Sequence, residues 1–201
     1  FKLAYAIWCS QEKALEAYAD FVCLGTVADV MLLQGENRTF VSHGLDALAH
    51  TSRPGLAALM KEAGCDPAAL SATSIGFVLA PRINAAGRMG KIQVAVDLFL
   101  STDPVQAEKL AKELCQMNTQ RQAIEQEIYR QAISMLPTDQ TPKAIVLAEE
   151  SWHQGVVGIV ASRIAEEFCC PTVLICLDGA HGKASSRSYG GFNLFASLTE
   201  L

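Results

Sequence analysis

The stretch AIVLAEESWHQGVVGIVASRIAEEFCCPTVLICL, residues 144–177, decides the fold class of this chain. Its apolar run at 144–148 predicts a buried strand, the apolar spacing over 156–168 predicts an amphipathic helix, and 172–177 predicts a second strand. A strand, a helix and a strand in this order form a parallel pair with a right-handed crossover. The pattern therefore predicts an α/β fold.

A long helix is predicted upstream of this stretch. The tetrapeptide DPVQ at 103–106 places an acid at the N-cap, proline at the first helical position and glutamine at the third. Apolar residues then keep helical spacing to about residue 135, which gives a helix of roughly 50 Å at 1.5 Å per residue. Such a helix suits a connector between two domains, and it is expected to end at Pro137 and the polar run 138–142.

The first hundred residues predict helices together with short buried strands. Helices are expected within 37–49 and over 53–63, the second ended by Gly64. The apolar run 75–81 predicts a buried strand, and the apolar segment 21–30 predicts a strand end.

Composition limits the class of protein. The 201 residues carry 16 basic and 21 acidic side chains, half of the chain is apolar and 18% is charged. A sizeable core is therefore expected and disorder is not, and no apolar run is long enough for a membrane span. The net charge of −5 argues against a general nucleic-acid binder. It allows a local basic groove, because salt screens electrostatic interactions beyond about 8–10 Å and a phosphate therefore interacts mainly with nearby charges.

Seven cysteines without a CxxC pair predict buried, reduced thiols in a cytosolic protein. A structural zinc site or a secreted disulfide framework would show paired spacings. The chain opens on Phe1, with neither a signal peptide nor an initiator methionine, which predicts a piece of a longer protein.

Asp29 is the first candidate site residue, near the end of an apolar segment. A charged carboxylate is costly to bury unless a cation or hydrogen bonds compensate. The functional interpretation is an oxygen ligand for Mg²⁺ or Mn²⁺. The alternative is a cap or turn acid at a strand end.

A basic segment, PRINAAGRMGK at 81–91, is the second candidate. Arg82 and Arg88 offer guanidinium forks that match phosphate oxygens, Asn84 offers an amide donor, and the small residues between them allow another backbone to approach. The alternative is a surface loop whose arginines form salt bridges, although the segment itself holds no acid to pair with them.

The segment WHQGVVGIVASR at 152–163 is the third candidate. A helix that begins near Gly155 would direct free N–H groups toward whatever His153 faces, and this arrangement can hold an anion. Arg163 would lie on an exposed flank of the helix. The alternatives are a capping role for His153 and a core position for Trp152. A P-loop lysine and a Rossmann glycine pattern are both missing, which argues against nucleotide binding.

Polar residues follow the second strand of the opening stretch. Residues 178–182 predict a turn, and 183–188 predict a polar strand or loop whose hydroxyls and basic side chains suit phosphate or sugar contacts. The alternative is a polar hairpin arm. The candidate residues are Ser185, Ser186, Arg187 and Ser188.

Four motifs, in this order and spacing, resemble the DHH phosphoesterases and in particular their RecJ branch. GTVADV at 25–30 followed by ENR at 36–38 resembles the fourth conserved motif of the superfamily. The runs APRINAAGRM at 80–89, WHQGVVGI at 152–159 and SSRS at 185–188 resemble the RecJ branch. One departure is visible, because Ala184 and Ser185 stand where RecJ proteins usually have Gly-Ser.

The resemblance implies the tail of a DHH catalytic domain in 1–102, a connector helix in 103–136 and most of a DHH-associated, substrate-binding domain in 137–201. It implies that Asp29 is a catalytic residue and one ligand of a two-metal centre. It also implies substrate contacts from both domains, by Arg82, Asn84 and Arg88 in the first and by His153, Gly155, Arg163, Ser185, Ser186, Arg187 and Ser188 in the second.

The activity implied for the longer parent is that of a 5′→3′ exonuclease specific for single-stranded DNA in repair and recombination, with Mn²⁺ or Mg²⁺ as cofactor. A cytoplasmic location is implied as well, together with a single-strand-binding protein and a helicase as partners. Salt-dependent binding and exclusion of a duplex from a narrow cleft would be the physical consequences.

The Asp-x-Asp and Asp-His-His motifs of the superfamily do not occur in these residues, and neither does the OB-fold expected of RecJ. The chain alone is therefore expected to be inactive. One alternative is a DHH phosphodiesterase for short oligonucleotides or cyclic dinucleotides, although the Gly-Gly-Gly-His signature of those relatives is not found here. The other is a non-catalytic DNA-binding scaffold of the same fold.

Overall fold

A computed structural model describes residues 1–137 and 142–200, and the chain divides into two compact units, Phe1–Asn118 (unit 1) and Thr119–Leu201 (unit 2). Unit 1 is built from helices, and unit 2 combines helices with a sheet. This composition confirms the predicted α/β class.

Unit 1 contains the two helices expected within 37–49 and over 53–63. The second is ended by Gly64, whose φ of +70° and N–H bond to the Lys61 carbonyl close the last turn. The helices are α1 (Lys2–Trp8), α2 (Gln11–Ala28), α3 (Glu36–Ala49), α4 (Pro54–Glu62), α5 (Ala72–Ser74), α6 (Ala80–Arg88) and α7 (Ile92–Leu100).

The predicted strand at 75–81 is wrong. Residues Ile75–Leu79 form a π-helical turn between α5 and α6, in which the Ala80 N–H donates to the Ile75 carbonyl. Ile75 and Leu79 are four residues apart and both are buried in the unit 1 core, so the apolar run packs as one face of a helix. A short apolar run does not distinguish a buried strand from a buried helix.

A partly buried ion pair holds the start of α4 against α2. The Arg53 Nε donates to the Asp20 Oδ2 at 2.9 Å, and the Phe21 N–H donates to the Asp20 Oδ1 at 2.8 Å. The Arg53 guanidinium also lies 4.5 Å from the centroid of the Phe21 ring. The charge of Asp20 is therefore compensated inside the core.

The predicted long helix is confirmed as α8 (Pro104–Ser134), whose 31 residues span about 46 Å. The Asp103 carboxylate accepts from the Val105 N–H at 3.0 Å and from the Gln106 N–H at 3.3 Å, as expected of an N-cap. Residues 138–141 of the polar run expected to end the helix lie outside the described residues. The helix contributes Ala107, Ala111, Leu114 and Met117 to the core of unit 1, and Ile128 and Ala132 to the core of unit 2.

Unit 2 contains the predicted strand, helix and strand. Strand β1 (Ile145–Glu149) pairs in parallel with β2 (Thr172–Asp178), and β2 pairs in antiparallel register with β3 (His181–Arg187). Helix α9 (Gln154–Glu167) connects β1 to β2 and packs on β2 and β3, and α10 (Leu194–Thr199) follows. The core of this unit includes Trp152, Val156, Val157, Val160, Ile164 and Leu174.

All seven cysteines are free thiols, but the prediction that they are buried holds only in part. Cys23, Cys170 and Cys176 are buried, whereas Cys9 and Cys169 are exposed. Within residues 1–137 and 142–200, none of the helices combines the length and the apolar character that crossing a membrane requires.

Candidate nucleic-acid interface

The N-terminus of α9 is capped by His153. The Nδ1 atom of His153 accepts a hydrogen bond from the Gly155 N–H at 3.1 Å, and the His153 carbonyl accepts from the Val156 and Val157 N–H groups. A neutral imidazole that accepts at Nδ1 carries its proton at Nε2, so one ring donor remains for a ligand. The Gly155 N–H, expected to bind an anion, donates to this cap instead.

Three residues of α9, spaced four apart, face three residues of β3, spaced two apart. We call these three facing pairs the α9–β3 ladder. The Lys183 Nζ lies 3.4 Å from the Gln154 Oε1, and the Arg187 Nε donates to the Ser162 Oγ at 2.7 Å. Four helical residues advance about 6 Å and two strand residues about 6.6 Å, so the two repeats stay aligned along the pair. The ladder consists of the pairs Gln154–Lys183, Gly158–Ser185 and Ser162–Arg187.

Gly158 lets the side chains of β3 pack closely against α9 in the middle of the ladder. A Cβ placed on Gly158 would lie 3.2 Å from the Ser185 Oγ and 3.4 Å from the Arg187 Nη2. The missing side chain therefore allows this hydroxyl and this guanidinium to lie side by side against the helix. The two donors are close enough for one phosphate group to accept from both.

Arg187 is the charged group of the ladder. Besides its bond to Ser162, its Nη1 donates to the Ser186 carbonyl at 2.7 Å. These two bonds leave the second N–H of Nη1 and both N–H groups of Nη2 for a ligand. Its side chain is exposed, and among the described residues no carboxylate forms an ion pair with it. The cation is therefore oriented but not neutralised.

The strand separates the four predicted residues at 185–188. Successive side chains of a strand point to opposite faces, so Ser185 and Arg187 face α9 while Ser186 lies on the other face of the sheet. Ser188 follows the end of β3 and is exposed. The structure therefore brings Ser185 and Arg187 together and leaves Ser186 and Ser188 outside the ladder.

Arg163 faces a different neighbour. Its guanidinium carbon lies 3.7 Å from the centroid of the Tyr129 ring on α8, in a cation–π contact. The Tyr129 hydroxyl donates to both carboxylate oxygens of Glu167, at 2.8 and 2.6 Å, and this hydrogen bond raises the pKa of Tyr129. Arg163 thus has a structural contact that the sequence pattern did not predict.

The three candidate residues of the basic segment lie on α6, but they differ in their exposure. Asn84 and Arg88 are four residues apart, so they share one face of the helix, and both are exposed. Arg82 is half-buried, and its Nη1 donates to the Val78 carbonyl at 2.7 Å. Its Nε is buried without a hydrogen-bond partner among the described residues. Burial raises the pKa of the nearby Cys115 thiol, and a hydrogen bond with Arg82 opposes that rise.

Asp29 does not end a strand but forms the C-cap of α2, where it is exposed. The Val30 N–H donates to the Val27 carbonyl and the Met31 N–H to the Thr26 carbonyl, which is a Schellman motif. Val30 takes the position that usually holds glycine, and its φ of +54° is rare for a β-branched residue.

The carboxylate of Asp29 suits a cation. It lies at the negative end of the α2 dipole, and it makes no hydrogen bond or ion pair with the described residues. The described ranges contain no group of three His, Cys, Asp or Glu side chains that could bind a metal. Asp29 therefore fits one ligand of a metal centre, and the described residues do not supply the rest.

Sequence patterns did not single out Ser162. The available signal was its position four residues after Gly158, which places both on one face of α9. Its partner Arg187 is 25 residues away, and only the packing of β3 on α9 brings the two together.

The chain is similar over its length to part of a known protein. RecJ of Bacillus subtilis is 42% identical over 205 residues, which include 100% of this chain and 25% of that protein. A solved structure of RecJ from Thermus thermophilus in complex with Mg²⁺ has a TM-score of 0.83 at 38% identity, over 92% of this chain and 28% of that one. The resemblance to RecJ is confirmed.

A second solved structure, exonuclease RecJ bound to manganese, has a TM-score of 0.79 at 37% identity and covers 92% of this chain and 46% of that one. The curated RecJ relatives are named single-stranded-DNA-specific exonucleases. No protein-family model matches the chain. The chain spans about a quarter of the length of B. subtilis RecJ.

Proposed function

We propose that this chain is the part of a RecJ-type nuclease that holds single-stranded DNA by its phosphates, with the α9–β3 ladder as the main contact in unit 2. The observation that carries the proposal is the Arg187 guanidinium, which the Ser162 hydroxyl and the Ser186 carbonyl orient beside the Ser185 hydroxyl and which no carboxylate of the described residues neutralises. The names of the RecJ relatives supply the substrate class.

Phosphate is the ligand that best suits this donor set. A guanidinium fork pairs with two phosphate oxygens, and charge-assisted bonds of this kind are stronger than neutral ones. The Ser185 hydroxyl adds a donor without charge, and the Nε2 of His153 offers another on the same helix end. Such contacts do not distinguish bases, so binding is expected to be independent of sequence and strongly dependent on salt.

Unit 1 contributes two further elements to the proposal. Asn84 and Arg88 offer an amide and a guanidinium on one face of α6 to the DNA backbone. Asp29 offers one oxygen ligand to the Mg²⁺ or Mn²⁺ that RecJ structures contain. When bound, such ions activate a water molecule and stabilise the leaving oxygen of a phosphodiester. The longer protein would then hydrolyse DNA.

Other contacts and properties of the parent stay predictions. These are DNA contacts by Arg82, Gly155, Arg163, Ser186 and Ser188, the 5′→3′ direction, a role in repair and recombination, and partnership with a single-strand-binding protein or a helicase. A cytoplasmic location is also proposed, and the seven free thiols support a reducing compartment.

The test compares arginine variants of the longer protein that contains this chain. Arg187→Ala is expected to weaken binding of a single-stranded oligonucleotide about tenfold or more, measured without divalent ions to prevent cleavage. The negative slope of log affinity against log salt should also become shallower by about 0.7, because one phosphate contact is lost.

Arg130→Ala is the matched control, because Arg130 is exposed but already paired with Glu127 at 2.6 Å. Its affinity and salt slope should match those of the unmodified protein. Unchanged affinity and slope in Arg187→Ala would refute the ladder as a phosphate contact.

A further inference from the structure

We propose that Ser162 is a positioning residue that orients Arg187 for its contact with phosphate. The proposal rests on the proposed function of Arg187. Ser162 acts through the arginine and does not itself contact the DNA.

The hydrogen bonds of Ser162 define this role. Its Oγ donates to the Gly158 carbonyl at 3.1 Å and accepts from the Arg187 Nε at 2.7 Å. A hydroxyl has a single proton, and in Ser162 the helix backbone takes it. The lone pair is therefore held toward Arg187, and Ser162 has no proton left for a phosphate oxygen.

A hydroxyl at this position orients the cation without reducing its charge. Arg187 is exposed and has no carboxylate partner among the described residues, so an unrestrained side chain would sample many rotamers. Fixing such a side chain on binding costs entropy, and a bond already made at Nε reduces that cost. A carboxylate at position 162 would compete with phosphate for the guanidinium instead.

The bond to Ser162 uses the Nε of Arg187 and not its outer nitrogens. It therefore leaves Nη2 next to the Ser185 hydroxyl, against Gly158. Loss of the Ser162 hydroxyl would release the fork from this position while its positive charge remains. Affinity for DNA should fall, but by less than in a variant without the arginine.

The experiment uses the isosteric pair Ser162→Thr and Ser162→Val in the longer protein, because only the first keeps a hydroxyl. Affinity for a single-stranded oligonucleotide is measured without divalent ions. Ser162→Thr should remain within about twofold of the unmodified protein, and Ser162→Val should bind about five- to tenfold more weakly. The salt dependence of Ser162→Val should stay steeper than that of Arg187→Ala, since the cation is still present.

A double variant separates positioning from a general structural effect. Combined with Arg187→Ala, Ser162→Val should add no further loss, because Ser162 acts only through that arginine. Ser162→Ala replaces Ser162→Val if the valine variant does not fold, and it carries the same expectations. Asp at this position, Ser162→Asp, should bind more weakly than Ser162→Val.

The experiments distinguish failure of the proposed function from failure of the proposed role of Ser162. If Arg187→Ala leaves affinity and slope unchanged, the proposed function itself fails. If Arg187→Ala weakens binding but Ser162→Thr and Ser162→Val bind equally well, the role of Ser162 is refuted. The ladder would still be supported as a phosphate contact. An additive loss in the double variant also refutes it.

Discussion

The ladder in unit 2 and the α6 surface in unit 1 carry similar donors but position them differently. In the ladder, Arg187 is oriented by bonds to the Ser162 hydroxyl and to the Ser186 carbonyl. On α6, Asn84 and Arg88 are placed side by side by helical spacing. Residues from two elements thus orient the donors in unit 2, whereas one helix face offers a broader surface in unit 1.

Asp29 is the residue whose loss should distinguish the proposed roles of the two units most strongly, because cleavage should fall while DNA affinity is retained. Asp29→Ala in the longer protein should reduce cleavage with Mn²⁺ or Mg²⁺ on the order of 100-fold or more, because a charged oxygen ligand is lost. Affinity for single-stranded DNA should change by less than about twofold, since the ladder is intact.

Turnover and affinity are to be measured on the same preparation. Asp46→Ala, which removes another exposed carboxylate of unit 1, serves as the control and should cleave normally. Normal cleavage by Asp29→Ala would contradict the proposed metal role.

The buried thiol of Cys23 makes unit 1 sensitive to alkaline pH. Burial, with a smaller contribution from the Asp20 carboxylate, raises the pKa of Cys23 to about 11. A raised folded-state pKa means that the stabilisation is complete below the ordinary thiol pKa and is lost between about pH 9 and pH 11. The loss at the alkaline end is about 2–3 kcal/mol.

Urea unfolding of this chain at pH 8 and pH 10.5 measures that loss. Cys23→Ala removes the thiol, so its free energy of unfolding should fall less over the same interval than that of the unmodified chain. An equal fall in both proteins would show that Cys23 does not titrate with a raised pKa.

Two glycine-to-alanine variants, one in each unit, test the difference between the units through a smaller expected effect on DNA affinity. Gly158→Ala should weaken DNA binding about tenfold, because the added Cβ would lie 3.2 Å from the Ser185 Oγ and 3.4 Å from the Arg187 Nη2 and would displace these donors. In Gly87→Ala the added Cβ meets only the Ile92 Cδ1, at 3.8 Å. That variant should bind DNA normally and gain up to about 1 kcal/mol of helix stability.

Both variants are compared in the same binding assay, with thermal unfolding as a check of the fold. Equal affinities of Gly158→Ala and Gly87→Ala would argue against a ligand in the ladder.

The sequence was most informative where local chemistry determines structure. Asp103 and Pro104 predicted the start of α8, and the apolar runs of unit 2 predicted its parallel strand pair, because capping and hydrophobic periodicity are local signals. The run 75–81 was misassigned because a short run of mostly apolar residues carries no periodicity that distinguishes a helix from a strand, although Phe77 is exposed in the structure.

The sequence suggests residue types for the site but not their geometry. Ser185 and Arg187 were proposed as phosphate contacts from their chemistry, which stays a prediction, and alternation along β3 separates them from Ser186. The contact between Arg163 and Tyr129 and the bond between Ser162 and Arg187 depend on how distant segments pack, which no local pattern encodes.

The most direct test is a crystal structure of the longer protein with a short single-stranded oligonucleotide, with cleavage blocked by Asp29→Ala. We predict a phosphate group beside Gly158, within hydrogen-bond distance of both the Ser185 Oγ and the Arg187 Nη2. A DNA strand bound with its phosphates away from these two donors, and with Arg187 contacting only protein atoms, would contradict the account.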